Sequence, residues 1–281
     1  MKIQVSDRRH PPRSEDRAFI SSLSHGLTVL EAVAQSENDI ALTTLAKRVG
    51  LKKTNTWRLV HTLLRLGYLR QDSETRRFSP APRVLALGYA YFDSLDLKQL
   101  AAPFLEDLSA RVNELVNLAI IDHDELVFIE RVKTSSQVVN VNLRPGSHLP
   151  LYNTSLGRAL ISEMPMPWLR QYMSRLREDP YAAKYIEDGG KKLLKTLSEI
   201  RERGYSVSDN ERIAGLRSVA SPIRDKSSEI VAAVNILVPS TRMSLAELKR
   251  NLAPEVIETA AKISAVLGHR GKRTASNGNT R

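Results

Sequence analysis

The chain contains no cysteine, which excludes disulfides, thiolate metal sites and thiol nucleophiles and leaves non-covalent mechanisms favoured. It suits a reducing cytoplasm, the expected location. No apolar run reaches the roughly eighteen residues of a membrane span. The basic N-terminus, with Arg8, Arg9, Arg13 and Arg17, lacks the apolar stretch that an export signal needs. No membrane partner is expected. Internal repeats, a glycine-rich phosphate loop, a nucleophile elbow and a histidine-rich cluster are missing as well, so neither a metal nor a cofactor is expected.

What is present is length and positive charge. At 281 residues the chain can build two domains, each with its own core. Lys and Arg number 42 against 31 Asp and Glu, a net charge of +11. Such a field attracts polyanions, of which nucleic acid is the commonest in a cytoplasm. Residues 1–20 mix charge with Pro11 and Pro12 without apolar periodicity and read as a loose basic arm, and 269–281 as a matching tail.

Between these ends, 21–82 reads as helix, short helix, tight turn, helix and hairpin. The first helix starts near Ser22 and carries an apolar stripe of Leu23, Leu27, Leu30 and Ala34. A short second helix places Leu42, Leu45, Ala46 and Val49 on one face and ends at Gly50. After Leu51 and Lys52, a third helix over 53–66 turns Trp57, Val60, Leu63 and Leu64 inward and ends at Gly67. Residues 68–71 and 76–79 then pair around a turn at 72–75. This is the order of a winged helix-turn-helix, whose last helix must present small polar and basic side chains at its N-terminal end to reach base edges in the major groove. Thr54, Asn55 and Arg58 meet that demand, and Lys52, Lys53, Arg76 and Arg77 are placed to meet phosphates.

Residues 83–113 read as a helical linker or dimerisation segment, because Tyr89, Tyr91, Phe92, Leu95 and Leu97 exceed what a solvated connector needs. From 114 to 268 the periodicity alternates between strand and helix. Strands are expected over 115–121, 126–132, 138–143, 205–208, 219–224 and 230–238. Helices are expected over 155–163, 167–176 and 191–203 and from Leu245 and Pro254 onward. The whole is an α+β chain with a mixed second domain.

The chain resembles the IclR family of bacterial regulators over about 22–267. The likeness rests on Ser22-Leu-Ser-His-Gly-Leu-Thr-Val-Leu30, Lys53-Thr-Asn-Thr-Trp-Arg58, Arg144-Pro-Gly-Ser-His-Leu-Pro150, Thr154-Ser-Leu-Gly-Arg-Ala159, Arg203-Gly-Tyr205 and Asn210-Glu-Arg-Ile-Ala-Gly-Leu-Arg-Ser218. Two further stretches, Pro82-Arg-Val-Leu-Ala-Leu-Gly88 and Gly215-Leu-Arg-Ser-Val-Ala-Ser-Pro-Ile223, look most like the PcaR and PobR branch, whose members answer to aromatic acids or their ring-cleavage products. The resemblance implies a winged-helix reader of operator DNA, a GAF-like effector domain, homodimers or homotetramers, and no catalysis. It places effector contacts at Val141, Leu149, Ser155, Leu156, Leu216, Ser218, Asn235 and Leu237. Ser155-Leu156-Gly157 opens an expected helix, where free N–H groups and the positive dipole end can hold a carboxylate; Gly157 would allow close approach.

Two other classes compete. An enzyme fused to a DNA-binding domain could use Asp122-His123-Asp124-Glu125 as an acid/base or metal cluster. Four polar residues between two strand-like runs are, however, what a hairpin loop looks like, and successive strand residues face opposite ways. A ligand-independent architectural DNA binder would leave the large second domain without a purpose.

Overall fold

The computed structural model describes residues 19–36, 38–87, 96–133 and 143–270. Val141, residues 138–142 of the expected strand over 138–143, the aromatic run from Tyr89 to Leu95, and residues 1–18 and 271–281 of the charged ends lie outside the described residues. The chain divides into two compact units, with the break between Leu95 and Asp96.

The first unit contains α1 (Ser21–Ala34), α2 (Leu42–Arg48), α3 (Lys53–Arg65), β1 (Leu69–Gln71) and β2 (Phe78–Pro80). Gly50 and Gly67 close α2 and α3 with φ of 68° and 77°, left-handed values that a side chain resists. The two strands pair antiparallel, and Ile40 joins them through reciprocal backbone hydrogen bonds with Phe78 at 2.9 Å. At the turn between the strands, Asp72 Oδ1 accepts from the Thr75 N–H, the Thr75 hydroxyl and the Glu74 N–H.

Two expectations about this unit fail. The core of α1 is Val29, Ala32 and Val33, whereas Leu23 and Leu27 are 60% and 49% exposed. A helix of 14 residues is about 21 Å long, and only its second half meets the core formed with Val60, Leu63 and Phe78. In α3 the inward residue is Thr56, whose hydroxyl donates to the Lys52 carbonyl. Trp57 is exposed beside the ring of His61: at 100° per residue it falls on the flank of the polar face, away from Val60 and Leu63.

The second unit is built on a six-stranded antiparallel sheet in the order β5-β4-β3-β8-β7-β6, with β3 (Leu115–Asp122), β4 (Glu125–Val132), β5 (His148–Pro150), β6 (Ser206–Asp209), β7 (Leu216–Arg224) and β8 (Ile230–Pro239). Helix α4 (Asp96–Val112), expected as linker, belongs to this unit and buries Leu97, Ala101, Leu105 and Leu108. It packs with the C-terminal helix, here α10 (Ala253–Val266), against the sheet. Residues of alternate parity, among them Ala119, Ala220 and Ala233, turn instead to a second core shared with α5 (Ser155–Leu160), α6 (Met166–Arg175), α7 (Ala183–Ile186) and α8 (Lys191–Arg203). A capped turn, α9 (Leu245–Glu247), and a π-helical turn, Leu248–Leu252, precede α10. Strand β5, helix α7 and the 3-10 turn Leu176–Glu178 were not foreseen; each is too short to show a period.

Residues His123 and Asp124 form the tight turn between β3 and β4. His123 adopts φ of 54° and bonds to Asp122, while Asp124 takes both the Nε and Nη2 hydrogens of Arg175. The Asp122–Glu125 run is therefore a hairpin turn committed to structural partners.

Candidate functional site

On the first unit each of the expected DNA-reading residues is exposed. Lys52, Lys53, Thr54, Asn55 and Arg58 are all exposed along the start of α3, and Arg76 and Arg77 are exposed on the hairpin. A hydrogen bond from Arg77 Nη1 to the Asp39 carbonyl ties the hairpin to the loop before α2. Arg76 takes φ of 56° and its carbonyl accepts from Gln71 Nε2, which fixes the tip. The helix has an apolar face for its own core and leaves its N-terminal polar end free, which is the geometry of major-groove insertion.

On the second unit a cavity lies between the sheet and α5, with about 500 Å³ of empty space including its open mouth. Leu149, Ser155, Leu156, Leu216, Ser218, Asn235 and Leu237 all line it. Gly157 does not. Its N–H donates to the capping hydroxyl of Thr154, and a Cβ there would strike the backbone of Leu151. Gly157 serves close packing, and the six-residue helix commits that N–H to its own cap.

The polar groups of the cavity form two linked sets. Ser155 Oγ and Ser218 Oγ share a hydrogen bond of 2.7 Å, and Asn117 Nδ2 donates to Asn235 Oδ1 at 2.8 Å. Both pairs are buried. Leu126, Phe128, Leu143 and Ile213 complete the apolar walls. Two arginines missed by sequence reasoning also line the cavity, Arg131 and Arg212. Arg131 Nη1 donates to the Leu143 carbonyl at 2.7 Å, while its buried Nε and Nη2 meet no acceptor among the described residues. Burial lowers its pKa from the ordinary arginine value. A charged fork facing apolar walls and neutral amides can receive a carboxylate.

The segment before β7 that carries Arg212 and Ile213 of the cavity wall is tied to α5 by an ion pair. Arg158, almost fully buried, donates from Nη1 and Nη2 to the two carboxylate oxygens of Glu211 at 2.8 and 2.7 Å and from Nη2 to the Val207 carbonyl. The Tyr185 hydroxyl donates to the same carboxylate at 2.9 Å. Burial opposes the ionisation of Glu211, and the hydrogen bonds and charge of Arg158 outweigh it, so its pKa lies below the ordinary carboxylate value. Arg212 and Ile213, the next residues, line the cavity.

Among the described residues, no helix is long and apolar enough to cross a membrane. Residues 22–73 match the IclR helix-turn-helix domain, and 89–265 match the bacterial transcriptional regulator IclR C-terminal domain. The chain is 33% identical over 239 residues to the Pca regulon regulatory protein of Pseudomonas putida, covering 85% of this chain and 81% of that one. A transcriptional-regulator structure from Rhodococcus sp. RHA1 is 35% identical with a TM-score of 0.71, covering 89% of this chain and 98% of the other. An IclR family regulator from Brucella abortus is 30% identical with a TM-score of 0.74, over 92% and 96%. These relatives are regulators rather than enzymes, and with two domain models spanning a DNA-reading unit and a ligand-type cavity, the chain belongs to the IclR family of bacterial transcriptional regulators.

Proposed function

We propose that operator binding by this regulator is set by a small organic carboxylate, an aromatic acid or an aromatic catabolite, held in the cavity between the sheet and α5. The observation that carries this reading is the composition of the cavity: leucines and a phenylalanine around paired neutral polar groups, with arginine at the wall. Such a mixture excludes bulk water from an apolar ring while compensating one negative charge. Likeness to the PcaR branch and to a Pca regulon regulator supports the aromatic class. On DNA, Thr54, Asn55 and Arg58 read base edges while Lys52, Lys53, Arg76 and Arg77 meet phosphates, in a homodimer or homotetramer on a dyad-symmetric site.

Thermal melting across a panel of aromatic acids and their amides tests the reading. An effector raises the melting temperature by an amount that grows with its concentration, and the amide does so far less. Ser155→Glu, which sets a negative charge into the cavity, removes the response and leaves ligand-free operator binding in place. An unchanged response in that variant, or equal binding of acid and amide, overturns the proposal.

A further inference from the structure

Resting on the organic-acid reading above, the geometry points to a more specific ligand. We infer that the cavity selects a carboxylic acid that also carries a neutral hydrogen-bond donor, a hydroxyl, with the acid on Arg131 and the hydroxyl on the amide oxygen of Asn117.

Each half follows from which atoms are already committed. Arg131 spends Nη1 on the Leu143 carbonyl, which fixes the plane of the guanidinium. What remains is the Nε and Nη2 edge, two parallel donors whose spacing matches the two oxygens of a carboxylate. Asn117 spends Nδ2 on Asn235 Oδ1, so its amide cannot turn over by itself without losing that bond. Its buried Oδ1, on a residue only 2% exposed, meets no donor among the described residues. It can only accept, so the ligand must supply the hydrogen.

The two groups stand on adjacent strands at one level of the sheet, where Arg131 pairs with Asn117 and Asn117 with Asn235. Both residues line the cavity, so one small ligand is within reach of each. The donor must be neutral. Arg131 and Arg212 line this space and, among the described residues, no Asp or Glu does, which disfavours an ammonium. A buried acceptor left unpaired penalises an analogue lacking the donor, so the discrimination is expected to be steep.

Calorimetric titration of the full chain with benzoate, 3-hydroxybenzoate, 4-hydroxybenzoate and 4-hydroxybenzamide decides the matter. Wild type should bind one hydroxybenzoate at least tenfold more tightly than benzoate, and the benzamide far more weakly. Asn117→Leu should bring hydroxybenzoate and benzoate to equal affinity. Arg131→Gln should weaken both acids about a hundredfold and leave the benzamide nearly unchanged. The wild-type series is independent of whether either variant folds. Benzoate binding as tightly as both hydroxybenzoates overturns the role of Asn117 alone, and benzamide binding as tightly as its acid overturns that of Arg131. If none of the acids binds, the aromatic-acid form of the reading above falls, and this inference with it.

Discussion

A Cβ on Gly157 would lie 2.4 Å from both the Cα and the carbonyl oxygen of Leu151. The two nearest atoms are backbone, not the far end of a flexible side chain that could give way. Gly157→Ala should therefore destabilise the second unit by about 2–3 kcal/mol through overpacking, read as a lower denaturation midpoint. Unchanged stability would mean that the segment 151–154 can shift, and would return Gly157 to consideration as a ligand contact.

The Arg158–Glu211 pair ties stability to pH. The folded pKa of Glu211 is depressed below 4.5, so the pair's contribution is fully present above that value and is lost as pH falls through the folded one. Glu211→Ala should cost about 3 kcal/mol near neutral pH by leaving Arg158 buried without its counter-charge. In denaturant titrations from pH 7 to pH 3, the deficit relative to wild type should shrink below about pH 4.5. A constant deficit would show that packing, rather than charge, is what the substitution removed.

On the operator, Arg58→Ala should weaken specific binding by about 1–3 kcal/mol and relax preference at one base pair, as loss of a bidentate base contact does. Equal weakening on random DNA in a gel-shift series would exclude base readout by Arg58.

Arg76→Ala should behave differently from Arg58→Ala. A phosphate contact carries no sequence information, so affinity falls about equally on specific and random DNA and the dependence on salt flattens by roughly one counterion. A change in base preference would move Arg76 from the backbone to the groove.

One α3 and one hairpin read too few base pairs for an operator, which predicts a dimer or tetramer in solution. The exposed Ile20, just before α1, and Leu23 and Leu27 on it add apolar surface that association could cover. Sedimentation at micromolar protein tests this, and a monomer that binds its operator tightly would defeat it.

The sequence by itself determined where most helices and strands run and that the first unit is a helix-turn-helix. Helix α3 was legible because its apolar positions recur at helical spacing and Gly50 and Gly67 punctuate its ends. Leu149, Ser155, Leu156, Leu216, Ser218, Asn235 and Leu237 were legible through family likeness, and the cavity gathers them. Which way Trp57 turns was not legible, since a large apolar side chain on the flank of a helix goes inward or outward according to the neighbours that the fold supplies. Nor was Arg131. Simple alternation along β4 puts Leu126, Phe128 and Glu130 on one face and Arg131 on the other. The structure carries a register shift there: Glu130 pairs with Leu118 but Phe128 with Ala119, which leaves Ile129 as an extra residue in the strand. That one residue reverses the parity, so Arg131 shares the cavity with Leu126, Phe128 and, across the ladder, Asn117. A bulge is a property of two paired strands, so only the tertiary structure could decide that this arginine faces the cavity.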